Sequence, residues 1–199
     1  SHRPPETPYG HMAIMPYPSR LETALVLRDG SACLLRAIRP EDAPTLQDFV
    51  RGLSEEARYF RFVASVKELS PRQLARYTQI DYWRDMALVA EVDSLPSTLA
   101  GDEATPAGRR FAGVARYMLN ADARTCEFAI AIDDAWQGKG LGRQLMQSLI
   151  DVARGRGLTH MEGMVLARNT KMLGLMQRLG FSVRPDPDDA SMVLVGREL

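Results

Sequence analysis

Residues 132–143 read Ile132-Asp133-Asp134-Ala135-Trp136-Gln137-Gly138-Lys139-Gly140-Leu141-Gly142-Arg143, and this stretch decides the fold. Before it, Thr125 to Ile132 is an apolar, β-prone run. After it, Leu141, Leu145, Met146, Leu149, Ile150 and Ala153 recur at helical spacing. A strand therefore passes through a turn with three alternate glycines into a helix. Glycines let backbone N–H groups approach a ligand closely, and the first helical turn offers unpaired donors at the positive end of the dipole. The segment is an anion cradle, and its spacing excludes two common phosphate readers. A dinucleotide fingerprint needs glycine where Arg143 stands and an acid where Leu158 stands. A P-loop needs G-x-x-x-x-G-K-[ST], which is also absent. The bland alternative is a glycine-rich helix start with no ligand, although glycines are costly in a mere turn.

Working outward, the helix stops at Gly155-Arg156-Gly157, and His160 to Leu166 is the next strand. Met172, Leu175, Met176 and Leu179 mark a further helix ended by Gly180. Phe181 to Arg184 and Ala190 to Arg197 read as two strands around a Pro/Asp turn. Upstream, Met86 to Val92, Phe111 to Leu119 and Thr125 to Ile132 form an antiparallel meander, with a long polar loop over 94–109. Asp29-Gly30 between Ala24–Arg28 and Ser31–Leu35 signals a hairpin. Arg39-Pro40-Glu41-Asp42 opens a helix carrying Leu46, Phe49, Val50 and Leu53, and Ser54 caps a short helix through Phe62. Ser70-Pro71-Arg72-Gln73 is a capping box for the helix that follows. The fold class is α/β: a mixed, mostly antiparallel sheet flanked by helices. One parallel strand pair is expected where the order becomes strand–helix–strand.

Composition bounds the function. The chain has 199 residues, 45% hydrophobic and 25% charged, the profile of one globular domain with a tail. Twenty-five basic residues balance 25 acidic ones, so no basic footprint points to nucleic acid. Met86 to Ala90 and Phe128 to Ile132, the longest apolar runs, are too short to cross a bilayer, so no membrane association is expected. Cys33 and Cys126 lie in apolar runs and read as free buried thiols, which suits a reducing, cytoplasmic compartment. No cluster has metal-ligand spacing, so no metal is expected. Residues 1–23 hold Pro4, Pro5, Pro8, Pro16 and Pro18 and read as a linker or strap. The domain proper is 24–199. The opening Ser1, with no signal-peptide core after it, suggests a processed product or a piece of a longer protein.

Gln137, Gly140 and Gly142, with Gly138 as an extra glycine, resemble the Q/R-x-x-G-x-G/A signature of the GNAT superfamily of acyl-CoA-dependent N-acyltransferases. Asn169 followed by Gly180-Phe181 resembles a second feature of that family, and the order of elements over 24–199 is similar to it. Leu53 to Phe62 and Gln79 to Ala90 resemble the Pat-type protein lysine acetyltransferases. In those proteins a GNAT domain is fused to an acyl-CoA-synthetase-like region. Tyr9 to Ile14 and Pro16-Tyr17-Pro18 are similar to the connector, which would make that region a fused partner and this chain the carboxyl-terminal catalytic piece.

The resemblance implies acetyl-CoA as co-substrate, in a cleft beside the parallel strand pair. Backbone N–H groups of Gln137, Gly138, Lys139, Gly140, Leu141, Gly142 and Arg143 would hold its pyrophosphate. Backbone at Ile130, Ala131 and Ile132 would pair with the pantetheine amides as an added strand would. Lys139 and Arg143 either add charge there or are solvated surface residues. Asn169 either bonds the pantetheine arm or N-caps the next helix.

A lysine acceptor has a pKa of ~10.4, so freeing its amine at pH 7 costs roughly 4 to 5 kcal/mol and needs a base. Glu127, the only acid within Thr125 to Ile132, is the candidate; the alternative is an exposed glutamate paired with an arginine. Met176 stands where many relatives carry a tyrosine acid, and Tyr117 is a weak substitute. Tyr59, Tyr77, Tyr82 and Trp83 are candidates for an acceptor groove or for ordinary core. The function so implied is acetylation of a lysine on a protein, an acyl-CoA synthetase foremost. A small-molecule amine acceptor would want an acidic pocket, for which Asp81, Asp85 and Glu91 are too few. A non-catalytic acyl-CoA sensor is the third reading.

Overall fold

The computed structural model describes residues 16–54, 67–93 and 108–199. The helix expected after Ser54, Tyr59, most of the loop 94–109 and residues 1–15 lie outside them. The expected hairpin is β1 (Thr23–Val26) and β2 (Ala32–Ala37), followed by α1 (Ala43–Gly52) and α2 (Pro71–Thr78). The meander is β3 (Asp85–Asp93), β4 (Arg109–Leu119) and β5 (Thr125–Ile132). Then come α3 (Leu141–Gly155), β6 (His160–Leu166), α4 (Thr170–Arg178), β7 (Ser182–Pro185) and β8 (Met192–Glu198). Ser70 caps α2 by accepting from the Gln73 N–H while the Gln73 side chain accepts from the Ser70 N–H, the reciprocal box read from sequence.

The strands form one sheet in the order β1–β2–β3–β4–β5–β6–β8–β7. Every neighbouring pair is antiparallel except β5–β6. The chain visits β7 before β8, yet β8 lies inside, between β6 and β7. The pleat sorts the core into two layers. Met86, Leu88, Tyr117, Phe128 and Ile130 face α3 and α4, against Leu145, Met146, Leu149, Ile150 and Met176. Ala87, Val89, Val114 and Ala131 face α1, against Leu46, Phe49 and Val50. Each such large side chain removed from water contributes roughly 1.5 to 3 kcal/mol. Cys33 and Cys126 are free and buried, as expected, and burial pushes their thiols up to about 11 and about 12.

Residues 16–22 strap this domain itself. The Tyr17 hydroxyl donates to the Ala37 carbonyl at 2.8 Å, and its ring meets Tyr82 edge-on at 5.7 Å, with Arg39 stacked 4.6 Å above.

Two features fix the region that matters for function. The first is the parallel ladder, which runs from Thr125↔His160 to Phe128↔Gly163 and stops. Beyond it β5 pairs only with β4 as far as Ile132, and β6 only with β8 as far as Leu166. The Phe128 ring occupies the space a side chain at Gly163 would need: a Cβ there would stand 2.6 Å from Phe128 Cε1. The second is a buried ion network at the other end of the sheet. Arg36 donates Nη1 and Nη2 to the Asp42 carboxylate at 2.7 and 2.8 Å and Nε to Glu91 at 2.6 Å, and Arg109 completes Glu91. Burial alone would raise the Glu91 pKa, but hydrogen bonds from Arg109 and Arg36 hold it below the usual carboxylate range.

Two outcomes are expected. Removing one partner of a buried pair costs about 3 to 5 kcal/mol; because Arg36 keeps Asp42, Glu91→Gln should cost near 3, read by urea unfolding at pH 7. A carboxylate with a depressed folded-state pKa contributes stability above its unfolded pKa and loses it as pH falls through the folded one. The gap between wild type and variant should therefore close below about pH 4. Gly163→Ala should cost about 1 to 3 kcal/mol by overpacking, read as a lowered Tm in calorimetry.

Candidate active site

Where β5 and β6 diverge, a cleft of about 370 Å³ opens between their carboxyl-terminal halves, the start of α3 and the start of α4. The N-cap of α3 is Gly140, whose φ of 85° is left-handed backbone that glycine adopts without strain. Among the described residues no side chain caps this helix, and Leu141, Gly142 and Arg143 of its first turn, whose N–H groups have no intrahelical partner, line the cleft. Gly142 keeps the helices close: a Cβ there would stand 3.1 Å from Leu175 of α4. The loop before α3 is braced from within. Asp133 accepts from the Ala135 N–H at 2.9 Å and Gln137 donates to Asp134 at 3.1 Å. The Asp133 N–H is anchored on the Ala112 carbonyl at 2.8 Å.

Ile130, Ala131, Ile132, Gln137, Gly138, Gly140, Leu141, Gly142, Arg143 and Asn169, all singled out from sequence, line this cleft. Along 129–132 the β5 backbone has no strand on its β6 side, so its N–H and C=O groups present an edge that an extended amide chain can join. Asn169 takes the capping role at the rim of the cleft. Its side-chain oxygen accepts from the Met172 N–H at 3.2 Å as the N-cap of α4, while the residue also lines the cleft.

Two sequence candidates stand elsewhere. Lys139 does not line the cleft. Its ammonium pairs with Asp29 of the β1–β2 turn at 2.7 Å and lies 4.6 Å from the Trp136 ring, because the hairpin tip reaches across to the loop. Sequence spacing shows no such contact. Glu127 lines a second cavity, of about 390 Å³, with Phe128, Glu162, Gly163, Met164, Arg184, Asp186, Asp188 and Leu194. By the alternation of β5 and β6, Glu127 and Glu162 point away from the face covered by α3 and α4. Phe128 and Met164 line both cavities, so the two meet where the parallel ladder ends.

The sequence reading missed most of this acidic set. Of the acids it weighed, Glu127 lines this cavity and two others are structural: Asp81 accepts from the N–H groups of Trp83, Arg84 and Asp85, and Glu91 belongs to the ion network. The pocket acids come instead from β5, β6 and the β7–β8 turn, which only the topology brings together. The pattern also gave no sign of Arg28, Lys171 and Arg178, three cations that line the first cleft.

The proton-donor and groove candidates mostly become core. Met176 is fully buried. Tyr117 is buried against α3, away from the cleft, and burial raises its phenol pKa above the usual tyrosine range. Tyr82 donates to the Ile38 carbonyl at 2.6 Å, and Trp83 lies under Arg156 at 5.3 Å. Tyr77 stacks on Arg116 at 4.6 Å beneath α2, and burial lowers that guanidinium to about 10. Among the described residues no three His, Cys, Asp or Glu side chains gather as a metal site, and no helix is long and apolar enough to cross a membrane.

Comparison with known proteins agrees with this geometry. Residues 56–181 match the model of the Acetyltransferase (GNAT) family. An acetyltransferase of Pseudomonas aeruginosa is 38% identical over 168 residues, 84% of each chain. The acetyltransferase Pat of Mycolicibacterium smegmatis is 28% identical over 155 residues, 77% of this chain and 42% of that protein. Among solved structures, the GNAT domain of S. lividans PAT is similar at a TM-score of 0.75 and 29% identity, over 92% of this chain and all of that one.

Proposed function

The chain belongs to the Acetyltransferase (GNAT) family, an acetyl-CoA-dependent N-acetyltransferase, and on that premise we propose that its acceptor is the ε-amine of a lysine on a protein. An acyl-CoA synthetase is the proposed acceptor protein, and an acyl-CoA-synthetase-like region fused to this domain a proposed partner, in the cytoplasm. One observation carries the amine-acceptor reading: a second, acid-lined cavity reaches the end of the β5–β6 ladder from the face opposite the cofactor cleft. Two substrates entering from opposite faces can meet there without either passing the other. Support for a protein acceptor comes from the Pat-type stretches Leu53–Phe62 and Gln79–Ala90 and from the likeness to the S. lividans PAT domain.

In this mechanism acetyl-CoA supplies an activated thioester. The free N–H groups opening α3 hold the pyrophosphate, and the β5 edge at Ile130, Ala131 and Ile132 aligns the pantetheine arm. The side-chain amide of Asn169, whose oxygen is already committed to the helix cap, donates to that arm. The acceptor arrives as an ammonium, drawn by Glu127, Glu162, Asp186 and Asp188. Glu127 takes one proton, the amine nitrogen attacks to form the new C–N bond, the C–S bond breaks, and the nitrogen's second proton passes to water as water protonates the departing thiolate. A thiol of pKa ~8.5 leaves tolerably as thiolate and takes its proton from water, so Met176 in place of a tyrosine is no obstacle.

The acid-lined cavity also favours a second reading, a small cationic amine as acceptor. Peptide mass spectrometry after mixing the chain, acetyl-CoA and an acyl-CoA synthetase separates the two. A single lysine should gain an acetyl group. Glu127→Gln should lower the rate about 10²- to 10⁴-fold, the usual worth of a general base, with acetyl-CoA affinity retained. Acetylation of small amines but no protein would replace the acceptor. Unchanged turnover in Glu127→Gln would remove the base.

A further inference from the structure

We infer that Arg28, at the tip of the β1–β2 hairpin, is a phosphate ligand of the co-substrate and replaces the cradle's own lysine in that role. The inference rests on the family's use of acetyl-CoA. Arg28 lies more than a hundred residues from the glycine turn in sequence, yet it lines the same cleft. Its guanidinium lies against the bare Cα of Gly140: a Cβ there would stand 3.3 Å from Nε, 3.7 Å from Cζ and 3.8 Å from Nη2. Glycine at this position thus serves the α3 cap and the seating of Arg28 together.

The hairpin tip is clipped to the loop by two contacts that leave Arg28 available. The Arg28 N–H donates to the Lys139 carbonyl at 3.4 Å, and Asp29 holds the Lys139 ammonium at 2.7 Å. Asp29 also accepts from the Ser31 N–H at 2.9 Å. Asp29 is therefore spent on Lys139, and among the described residues no carboxylate is ion-paired with Arg28. Of the motif's two cations, Lys139 is neutralised away from the cleft while Arg143 lines it, and the hairpin supplies a further guanidinium beside the start of α3. A fixed guanidinium next to such donors is suited to bidentate contact with a phosphate.

The pyrophosphate and the 3′-phosphate of CoA offer the same chemistry, and binding calorimetry separates them. Acetyl-CoA, CoA, 3′-dephospho-CoA and acetyl-pantetheine would be titrated into wild type, Arg28→Ala, Arg28→Lys and Arg72→Ala, the last an exposed charge control on α2. Arg28→Ala should weaken CoA about 10- to 100-fold, the range for loss of a charged hydrogen bond. It should leave acetyl-pantetheine unchanged, and Arg28→Lys should recover part of the loss. A loss confined to CoA assigns Arg28 to the 3′-phosphate; an equal loss for dephospho-CoA assigns it to the pyrophosphate. CoA affinity within twofold of wild type, or an equal loss for acetyl-pantetheine or in Arg72→Ala, would overturn the inference. Wild type failing to bind acetyl-CoA would instead remove the family premise, and the two failures are distinct.

Discussion

The close approach of Phe128 to Gly163 is the constraint on which the rest of the molecule turns. A parallel ladder that continued would bury the β5 edge against β6 and leave no cleft. Here the ring of the last paired residue fills the space above a residue with no side chain and leans on Phe181 at 5.3 Å. The two strands then follow separate partners, β4 on one side and β8 on the other. The features of the candidate site gather at that parting: the free amide edge, the start of α3, and two cavities that, among the described residues, share Phe128 and Met164.

The scaffold resists being pulled back together. The two layers of the core grip the sheet on both faces, and β3 is buried from Met86 to Val92. At the far side, Arg36 ties β2 to the turn before α1 and to β3, so the sheet cannot shear there without exposing a charge. The strap adds Tyr17 to the same corner, capping Ala37. The buried ion network and the strap thus brace β2 and β3, away from the parting of β5 and β6.

Local periodicity and the glycine turn made most of the fold legible. The bounds of β5 and β6 coincide with those read from sequence, because each is an apolar run closed by turn residues. Most cleft-lining residues of one contiguous segment, 130–143, were equally legible; Trp136 lines the cleft without having been singled out, and Lys139 was singled out but lies outside it. Its removal from the cleft depends on Asp29, a hundred residues upstream, and no pattern in the turn itself encodes that. The acid-lined cavity was illegible for the same reason. Glu127, Glu162, Asp186 and Asp188 sit on three separate elements and converge only because β8 inserts between β6 and β7. Tyr82 and Trp83 take the packing alternative that the sequence left open, directed there by the pleat and the Asp81 turn.

The way the sheet ends has a consequence for the molecule in crowded solution. An eight-stranded sheet offers two outer rows of backbone groups that could template the addition of another chain. Both outer strands here are only four residues long. The exposed β7 carries Arg184 and ends on Pro185, a charge and a missing donor. Long strands with continuous apolar runs, β3 and β5 above all, are kept to the interior. The arrangement lets the protein carry an aggregation-prone core sequence without presenting it as a growing edge.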